Sequence, residues 1–511
     1  MVPIRLGLQW EHQGDGMAVN RLVVVSNRLP VAIRRIADGD WSVQRGSGGL
    51  VTALAPVLRD RGGLWIGWSG ATGLHSREVE RILRKRGVRI GYALKAIELS
   101  EEEIAKYYHG FSNEILWPLF HDFPSACNFD PGYWPVYQRV NNRLARAIVK
   151  ETTEDDYVWI QDYHLIPVAR ELRHLGVRRP IGYFHHIPFP PLDILLKLPW
   201  RFQILEALLD YDLVGFQTTR DRRNFFNCVR RLFPGTRASD SRQVSWLTVG
   251  ERKIRVGAFP ISIDFCEFAR VAESKAVADL AWSIHEKLPE QQIILGVDRL
   301  DYTKGIPEKI KAYALALERY PEMRRNATLV QVVVPSRIDV EEYGNLRQEI
   351  EQLVGRVNGR FTEAGWAPIQ YIFRSLAINE LVAFYRTSEI ALLTPLKDGM
   401  NLVAKEFCAC SLEENSVLIL SEFAGAAAQL KDGAILVNPH DISGTADAIA
   451  RAWRMGRIER QEKMHRLRRI CRHHDIFRWV RSFLHAAIAK DLEDFPPAVD
   501  YFPKRAEARM E

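Results

Sequence analysis

Short apolar runs rich in β-branched residues alternate with stretches of helical spacing from residue 21 almost to the end of the chain, and the rhythm starts over once. The first series of strand candidates is "RLVVVSN" (21–27), "GLWIGWSG" (63–70), "YVWIQDY" (157–163), "RPIGYFHHI" (179–187) and "DLVGFQT" (212–218). The second is "QQIILGV" (291–297), "TLVQVVV" (328–334), "IQYIF" (369–373), "EIALLTP" (389–395), "SVLILSE" (416–422) and "AILVN" (434–438). Such alternation predicts an α/β protein with parallel sheets covered by helices on both faces. A chain of 511 residues is too long for one core, and the two series predict two doubly wound domains joined near 261–263, within "GAFPISIDFCEF". Ligands are then expected in the cleft where the carboxyl ends of strands from both domains face each other.

Several function classes are disfavoured at this level. No apolar run approaches the roughly 18 residues of a membrane-spanning helix. The first twenty residues contain no secretory signal and read as a short extension, or as a mis-assigned start upstream of Met17. Six cysteines are scattered, with only Cys408 and Cys410 close together. That pattern predicts buried thiols in a reducing, cytoplasmic setting rather than a metal centre. The net charge of +7 is concentrated in residues 451–480, where ten Lys/Arg face three acidic residues. A solvated helix face accounts for this run better than a nucleic-acid patch does.

Candidate chemistry collects at strand ends. In "VDRLDYTKG" (297–305), Arg299 and Lys304 share one strand-to-helix loop, with Pro307 placed to open the helix. Solvation is one reading of this loop, and an anion at the end of a parallel strand is the other. Arg28 and Arg337 follow "LVVVSN" and "LVQVVVPS" in the same manner, so three strand ends carry cations suited to phosphate. In "GSGGL", Gly48 and Gly49 form either a tight turn or an open approach to a helix N-terminus. In "LTPLKDGMNLVAKEF", Asp398-Gly399 makes a turn and a helix starts near Asn401, which puts Glu406 in its first turns. There it can serve the helix dipole or accept from ribose hydroxyls. Asp162, His164, His185 and His186 lie at strand ends of the first domain, open to acid/base work, sugar-hydroxyl recognition or, least well supported, a metal. Asp210-Tyr211-Asp212 is a D-x-D pattern, but it sits at the amino end of its strand and reads as structural.

Taken in order, "VVVSNRLPV", "GSGGL", "GLWIGWSG", "YYHGFSNEILWPLFH", "WIQDYHL", "HHIPFPP", "DLVGFQT", "VDRLDYTKGIP", "VVVPSRIDVEEY", "GRVNGRF" and "LKDGMNLVAKEF" closely resemble glycosyltransferase family 20, the trehalose-6-phosphate synthases. The likeness covers roughly residues 21–490. It implies a GT-B fold: an N-terminal extension (1–20), a Rossmann-like acceptor domain (21–262), a Rossmann-like nucleotide-sugar domain (263–475) and a C-terminal helix returning to the first domain (476–511). The resemblance assigns Arg299 and Lys304 to the donor diphosphate, Gly48 and Gly49 to the loop under the donor, and Leu376 to a backbone contact with uracil. Leu402, Val403, Ala404, Lys405 and Glu406 are implied as nucleotide and sugar contacts, and Asp398 as a neighbour of the donor sugar. Arg28, Tyr108, Asp162 and Arg337 match acceptor residues, with both arginines on the phosphate, while Trp117 and His186 match positions tied to anomer selection. Arg299, Lys304, Asp162 and His186 form the implied catalytic set.

The implied reaction moves glucose from UDP-glucose to glucose-6-phosphate with retention, by front-side displacement, with no metal, no cofactor, no nucleic acid and no membrane involved. A homo-oligomer is also expected. Gln161 stands where histidine is common before "DYH", and His185 is an extra histidine beside His186. The alternatives are a glucosylglycerol-phosphate synthase, which would use glycerol-3-phosphate as acceptor, and a catalytically silent binder of sugar phosphates.

Overall fold

The structure, a computed structural model, describes residues 21–35, 40–45, 49–85, 90–239, 242–288, 291–336, 341–489, 491–498 and 501. The leader, Gly48, Arg337 and the last ten residues lie outside them. The first half contributes β1 (Arg21–Arg28), β2 (Val31–Arg35), β3 (Trp41–Arg45), β4 (Leu64–Trp68), β5 (Ala93–Ile97), β6 (Asp156–Gln161), β7 (Ile181–Phe184), β8 (Leu213–Phe216), β9 (Arg237–Ala238), β10 (Val244–Val249) and β11 (Arg252–Ala258). The second contributes β12 (Gln292–Arg299), β13 (Ala327–Val334), β14 (Ile369–Phe373), β15 (Ile390–Leu393), β16 (Val417–Ser421) and β17 (Ile435–Val437). All eleven strands expected from sequence are present. The β2–β3 hairpin, β5 and the β9–β11 meander are additions.

Strand order explains where the chemistry sits. The first sheet runs β5-β4-β1-β6-β7-β8-β11-β10-β9, parallel from β5 to β11 and antiparallel at its far edge. The second runs β14-β13-β12-β15-β16-β17 and is parallel throughout. Its order is that of a dinucleotide-binding sheet, reversing between β12 and β15. The first sheet reverses in the same way between β1 and β6. Loops leaving the two strands that flank such a reversal diverge to opposite faces and open a crevice at the carboxyl end. Arg28 ends β1 and Asp162 follows β6, while Arg299 ends β12 and Asp398 follows β15. Both sheets therefore present their chemistry-bearing residues at their own switch point.

The linker crosses between the sheets after β11, and Asp264 then caps the next helix through Glu267 N. The helix Ile476–Ile488, capped by Asp475 as expected, returns to the first domain. Its Phe483 stacks 4.2 Å from Trp159 and its Trp479 meets Phe184 edge-on at 5.0 Å. One apolar core consequently runs through both domains under this helix.

The basic run 451–480 corrects the simple picture of a solvated face. Arg460 and Arg468 are buried. Arg460 donates to the carbonyls of Ala452, Trp453 and Met455, and Arg468 to those of Cys408 and Ala409. Both guanidiniums cap the C-termini of other helices, where the orphan carbonyls and the dipole favour a cation. All six cysteines are free, but Cys266 is exposed and Cys127 half-buried, so only four are the buried thiols expected.

Candidate active site

The switch point of the second sheet is built by a turn only glycine fits. Gly305 has φ +61°, and a Cβ there would stand 2.6 Å from the Thr394 carbonyl oxygen. This close approach packs the Arg299–Lys304 loop onto the end of β15, reinforced by the Leu396 N–H on the Thr303 carbonyl. Lys304 Nζ consequently lies 2.6 Å from Asp398 Oδ2. Burial pushes the Asp398 carboxyl up, but the Lys304 ammonium together with His121 and Arg299 holds the group below the usual carboxylate range. Met400 N and Asn401 Nδ2, each at 3.4 Å, take up the remaining lone pairs.

Asn401 adopts a left-handed backbone, φ 73°, and caps the helix Leu402–Cys410 through Ala404 N. Leu402 and Val403 are half-buried in the first turn, where free N–H groups favour anions. Glu406, one turn further, accepts from the Tyr385 hydroxyl at 2.9 Å, and burial raises its carboxyl to about 6. The Lys405 side chain turns away from the helix N-terminus. Its ammonium is taken up by the Ile261 carbonyl and Gln429 Oε1, so any donor contact from this residue is left to its backbone. Gly49 opens the helix Gly49–Arg61, and Leu376 follows β14, half-buried.

At the switch point of the first sheet, Arg28 lies over Trp68 (4.4 Å) and Tyr108 (5.4 Å). Tyr108 in turn stacks on His164 at 5.8 Å. Tyr108 belongs to a thirteen-residue π-helix, Ile104–Leu116, a geometry that concentrates at functional sites. Asp162 has φ 74° and ψ 166°, a region nearly closed to residues with a Cβ and costing about 1–3 kcal/mol. Its carboxylate accepts from the His186 N–H at 3.1 Å. Burial nevertheless raises Asp162 to about 7, and burial lowers His186 to about 3. His185 points into the core instead, with Nδ1 2.9 Å from the Tyr183 hydroxyl.

The two clusters meet across the cleft. Arg299 of the second domain sits 5.5 Å above the Trp117 ring of the first. The Trp117 ring lies 4.2 Å from that of His121, tilted by 36°, and His121 Nδ1 donates to the Trp117 carbonyl. His121 is held near pKa 4 by burial, with Asp301, Lys304 and Asp398 close enough to act on its charge. Lys397 pairs with Asp122, and the Tyr302 ring meets Phe123 edge-on at 5.2 Å, both across the domain boundary.

His121, Asp122 and Trp68 carried no signal that singled them out in sequence. The second half of "LWPLFHD" could have suggested His121, four residues after Trp117 on one helical face. The D-x-D is structural, as expected: Asp210 pairs with Arg170, Asp212 with Arg173, and Tyr211 donates to the Leu165 carbonyl. Among the described residues, no cluster of three or more His, Cys, Asp or Glu could hold a metal, and no helix is long and apolar enough to cross a membrane.

A family model described as Glycosyltransferase family 20 matches residues 20–489. The chain belongs to this family. Trehalose-6-phosphate synthase of Mycolicibacterium smegmatis is 43% identical over 472 residues, covering 91% of this chain and 92% of its own. That of Mycobacterium bovis is 43% identical over 470 residues, covering 91% and 94%. The alpha,alpha-trehalose-phosphate synthase (UDP-forming) of Burkholderia xenovorans, solved in complex with glucose-6-phosphate, superposes with a TM-score of 0.82 at 36% identity over 91% of this chain and 99% of that one. An E. coli structure bound with UDP-2-fluoro glucose gives 0.82 and 36% over 93% and 100%. The paired switch-point sheets are thus the GT-B architecture of family 20 glycosyltransferases.

Proposed function

We propose that this chain transfers glucose from UDP-glucose to glucose-6-phosphate, forming α,α-trehalose-6-phosphate and UDP with retention at the anomeric carbon. The observation that carries this reading is the meeting of two complementary crevices. A cationic pair and a helix N-terminus at one switch point face an arginine, an aromatic wall and a buried carboxylate at the other.

In this reading Glu406 accepts from the ribose hydroxyls and the backbone at Leu376 reads the base. Gly48, Gly49 and the turn from Leu402 to Glu406 cradle the donor. Arg299 and Lys304 face the diphosphate, whose negative charge grows as the glycosidic C–O bond breaks; fixed cations aimed at developing charge lower the barrier without reorganising. Arg28 and Arg337 hold the acceptor phosphate, Tyr108 walls the acceptor sugar, and Asp162 accepts from a hydroxyl of that sugar other than the attacking one. Trp117 and His186 restrict which face of the acceptor is offered.

Asp398 is tied to Lys304, Met400 N and Asn401 Nδ2, and Asp162 is held at a raised pKa, so neither carboxylate is set up as a free nucleophile. This supports a front-side displacement: the new C–O bond forms on the face the diphosphate leaves, and the hydroxyl proton passes to the departing phosphate oxygen. Fixed cations take the part a divalent metal has in other nucleotide-sugar sites, so EDTA is expected to leave turnover unchanged. Six free thiols fit a reducing cytoplasm.

The reading is tested by supplying UDP-, GDP- and ADP-glucose with glucose-6-phosphate, glucose or glycerol-3-phosphate. UDP-glucose with glucose-6-phosphate should give the highest kcat/KM. Faster turnover of glycerol-3-phosphate, or equal UDP release without acceptor, overturns the assignment.

A further inference from the structure

A run of buried hydrogen bonds leads from the donor helix through the interdomain linker to His186. Lys405 Nζ donates to the Ile261 carbonyl at 2.8 Å. The N–H of the same Ile261 donates to Gln217 Oε1 at 2.9 Å. Gln217 Nε2 then lies 3.5 Å from His186 Nδ1, and His186 Nε2 lies 2.9 Å from Gln161 Oε1. Gln161, Gln217 and Lys405 are 0%, 1% and 1% exposed, so water does not compete for these bonds.

One unambiguous donor sets the sense of the whole series. A backbone N–H can only donate, so the oxygen of the Gln217 amide faces the linker and its NH₂ faces His186. An NH₂ can also only donate, so Nδ1 must be bare and the ring proton must sit on Nε2. That proton is then given to Gln161 Oε1. The Gln217 contact is long and contributes little attraction of its own. Its effect is selective: an Nδ1–H would confront the amide protons. Burial also keeps the ring neutral, lowering His186 to about 3.

We propose that Gln217 and Gln161 are positioning residues that hold His186 as the neutral Nε2–H tautomer, and that the Ile261 peptide links this setting to the donor helix. The proposal rests on the reading of His186 as a group on the sugar side of the cleft. Ile261 is gripped by the first domain through its N–H and by the second through its carbonyl. A domain opening that breaks the Lys405 bond releases the linker peptide, and with it the Gln217 amide. His186 is therefore set when the domains are closed, the state in which donor and acceptor meet.

The test uses the full chain labelled with ¹⁵N-histidine, with the His186 signals identified by their loss in His186→Asn. Long-range ¹H–¹⁵N correlation at neutral pH should find Nε2 protonated and Nδ1 bare. In Gln217→Glu a carboxylate faces the ring and accepts, so Nδ1 should gain a proton. Turnover of this variant should fall on the order of 100-fold, the cost of mis-setting a positioned group, with KM for glucose-6-phosphate within threefold. Should Gln217→Glu not fold, Gln217→Met withdraws the amide that excludes an Nδ1–H and should give a mixture of tautomers. An Nδ1-protonated ring in the unaltered chain overturns the proposal, as does a kcat unmoved when the ring is reset. The tautomer is read without turnover, so it stands or falls separately from the transferase assignment.

Discussion

Gly399 of the second domain abuts the main chain of His186 in the first: a Cβ at Gly399 would stand 2.2 Å from the His186 carbonyl oxygen. Behind it, a Cβ at Gly425 would meet the Gly399 carbonyl oxygen at 1.9 Å. Two glycines thus let the Asp398 turn press against the end of β7 with no side chain between. Gly399→Ala should hold the domains apart by a fraction of an ångström to an ångström. Since misplacement of about 1 Å costs on the order of 100-fold in rate, kcat should fall one to two orders of magnitude. The thermal midpoint should fall as well, because Met400 beside this turn belongs to the buried apolar core. Unchanged kcat in Gly399→Ala would show that catalysis does not need this closure.

Arg299 and Lys304 are expected to act on the leaving diphosphate. Arg299→Ala and Lys304→Ala should each lower kcat/KM by about 2–4 kcal/mol in transition-state terms. Lys304→Ala should cost more in stability, since it strips the buried Asp398 carboxylate of its ion-pair partner. Adding Asp398→Asn to Lys304→Ala should recover stability but not turnover. Steady-state kinetics with thermal melts checks both halves.

Asp162 couples activity and stability to pH in opposite senses. Its folded pKa of about 7 lies above the ordinary carboxylate value. Between about pH 4 and 7 the folded chain holds a proton the unfolded chain has lost, so this group's contribution to stability declines as pH rises through that window. Because the ionised form is the one that accepts from a hydroxyl of the acceptor sugar, kcat should rise over the same range, with an apparent pKa near 7. Asp162→Asn should abolish turnover yet be more stable than the unaltered chain at pH 7, by up to roughly 2–4 kcal/mol. The difference should vanish near pH 4. A variant equally destabilised at both pH values contradicts the assignment.

Arg28 is expected to bind the acceptor phosphate from the wall made by Trp68 and Tyr108. Arg28→Ala should raise KM for glucose-6-phosphate far more than KM for UDP-glucose. Arg28→Lys should rescue it poorly, because an ammonium neither stacks as a plane nor presents two parallel N–H groups to phosphate. Free glucose should be a much weaker acceptor, by about 1.5–3 kcal/mol for each charge-assisted hydrogen bond it cannot make.

Much of the fold was legible because parallel strands buried on both faces read as continuous apolar runs. Every strand of the second sheet announced itself as an apolar run, even the half-exposed edge strand β14. β10 and β11 did not, since their outer faces carry Trp246 under Lys253 and Arg255. Cation–π pairs look like ordinary surface in one dimension, although the alternation on either side of Gly250-Glu251 held a hairpin signal. β5 is an edge strand with half-exposed residues, and β2 and β3 are short and rich in arginine.

At the site, cations and carboxylates following apolar runs could be found from sequence because switch-point loops place them there. Strand order could not, and it alone makes Arg28 a neighbour of Asp162 and Arg299 a neighbour of Asp398. His121 shows the limit most clearly. Nothing in its own segment predicts that Lys304 and Asp398, nearly 200 residues or more away, will act on its charge. The π-helix bearing Tyr108 had no readable period, since one wide turn per few residues blurs the apolar stripe on which helix recognition depends.

Stereochemistry of the product tests the transferase reading most directly. Purified chain incubated with UDP-glucose and glucose-6-phosphate should release UDP in step with a disaccharide phosphate. The ¹H NMR spectrum of that product should contain two anomeric doublets, both with the small couplings of α-linked glucose, and no β doublet other than that of unreacted glucose-6-phosphate. A β-configured linkage, or UDP release yielding only free glucose, would contradict same-face displacement between the two crevices.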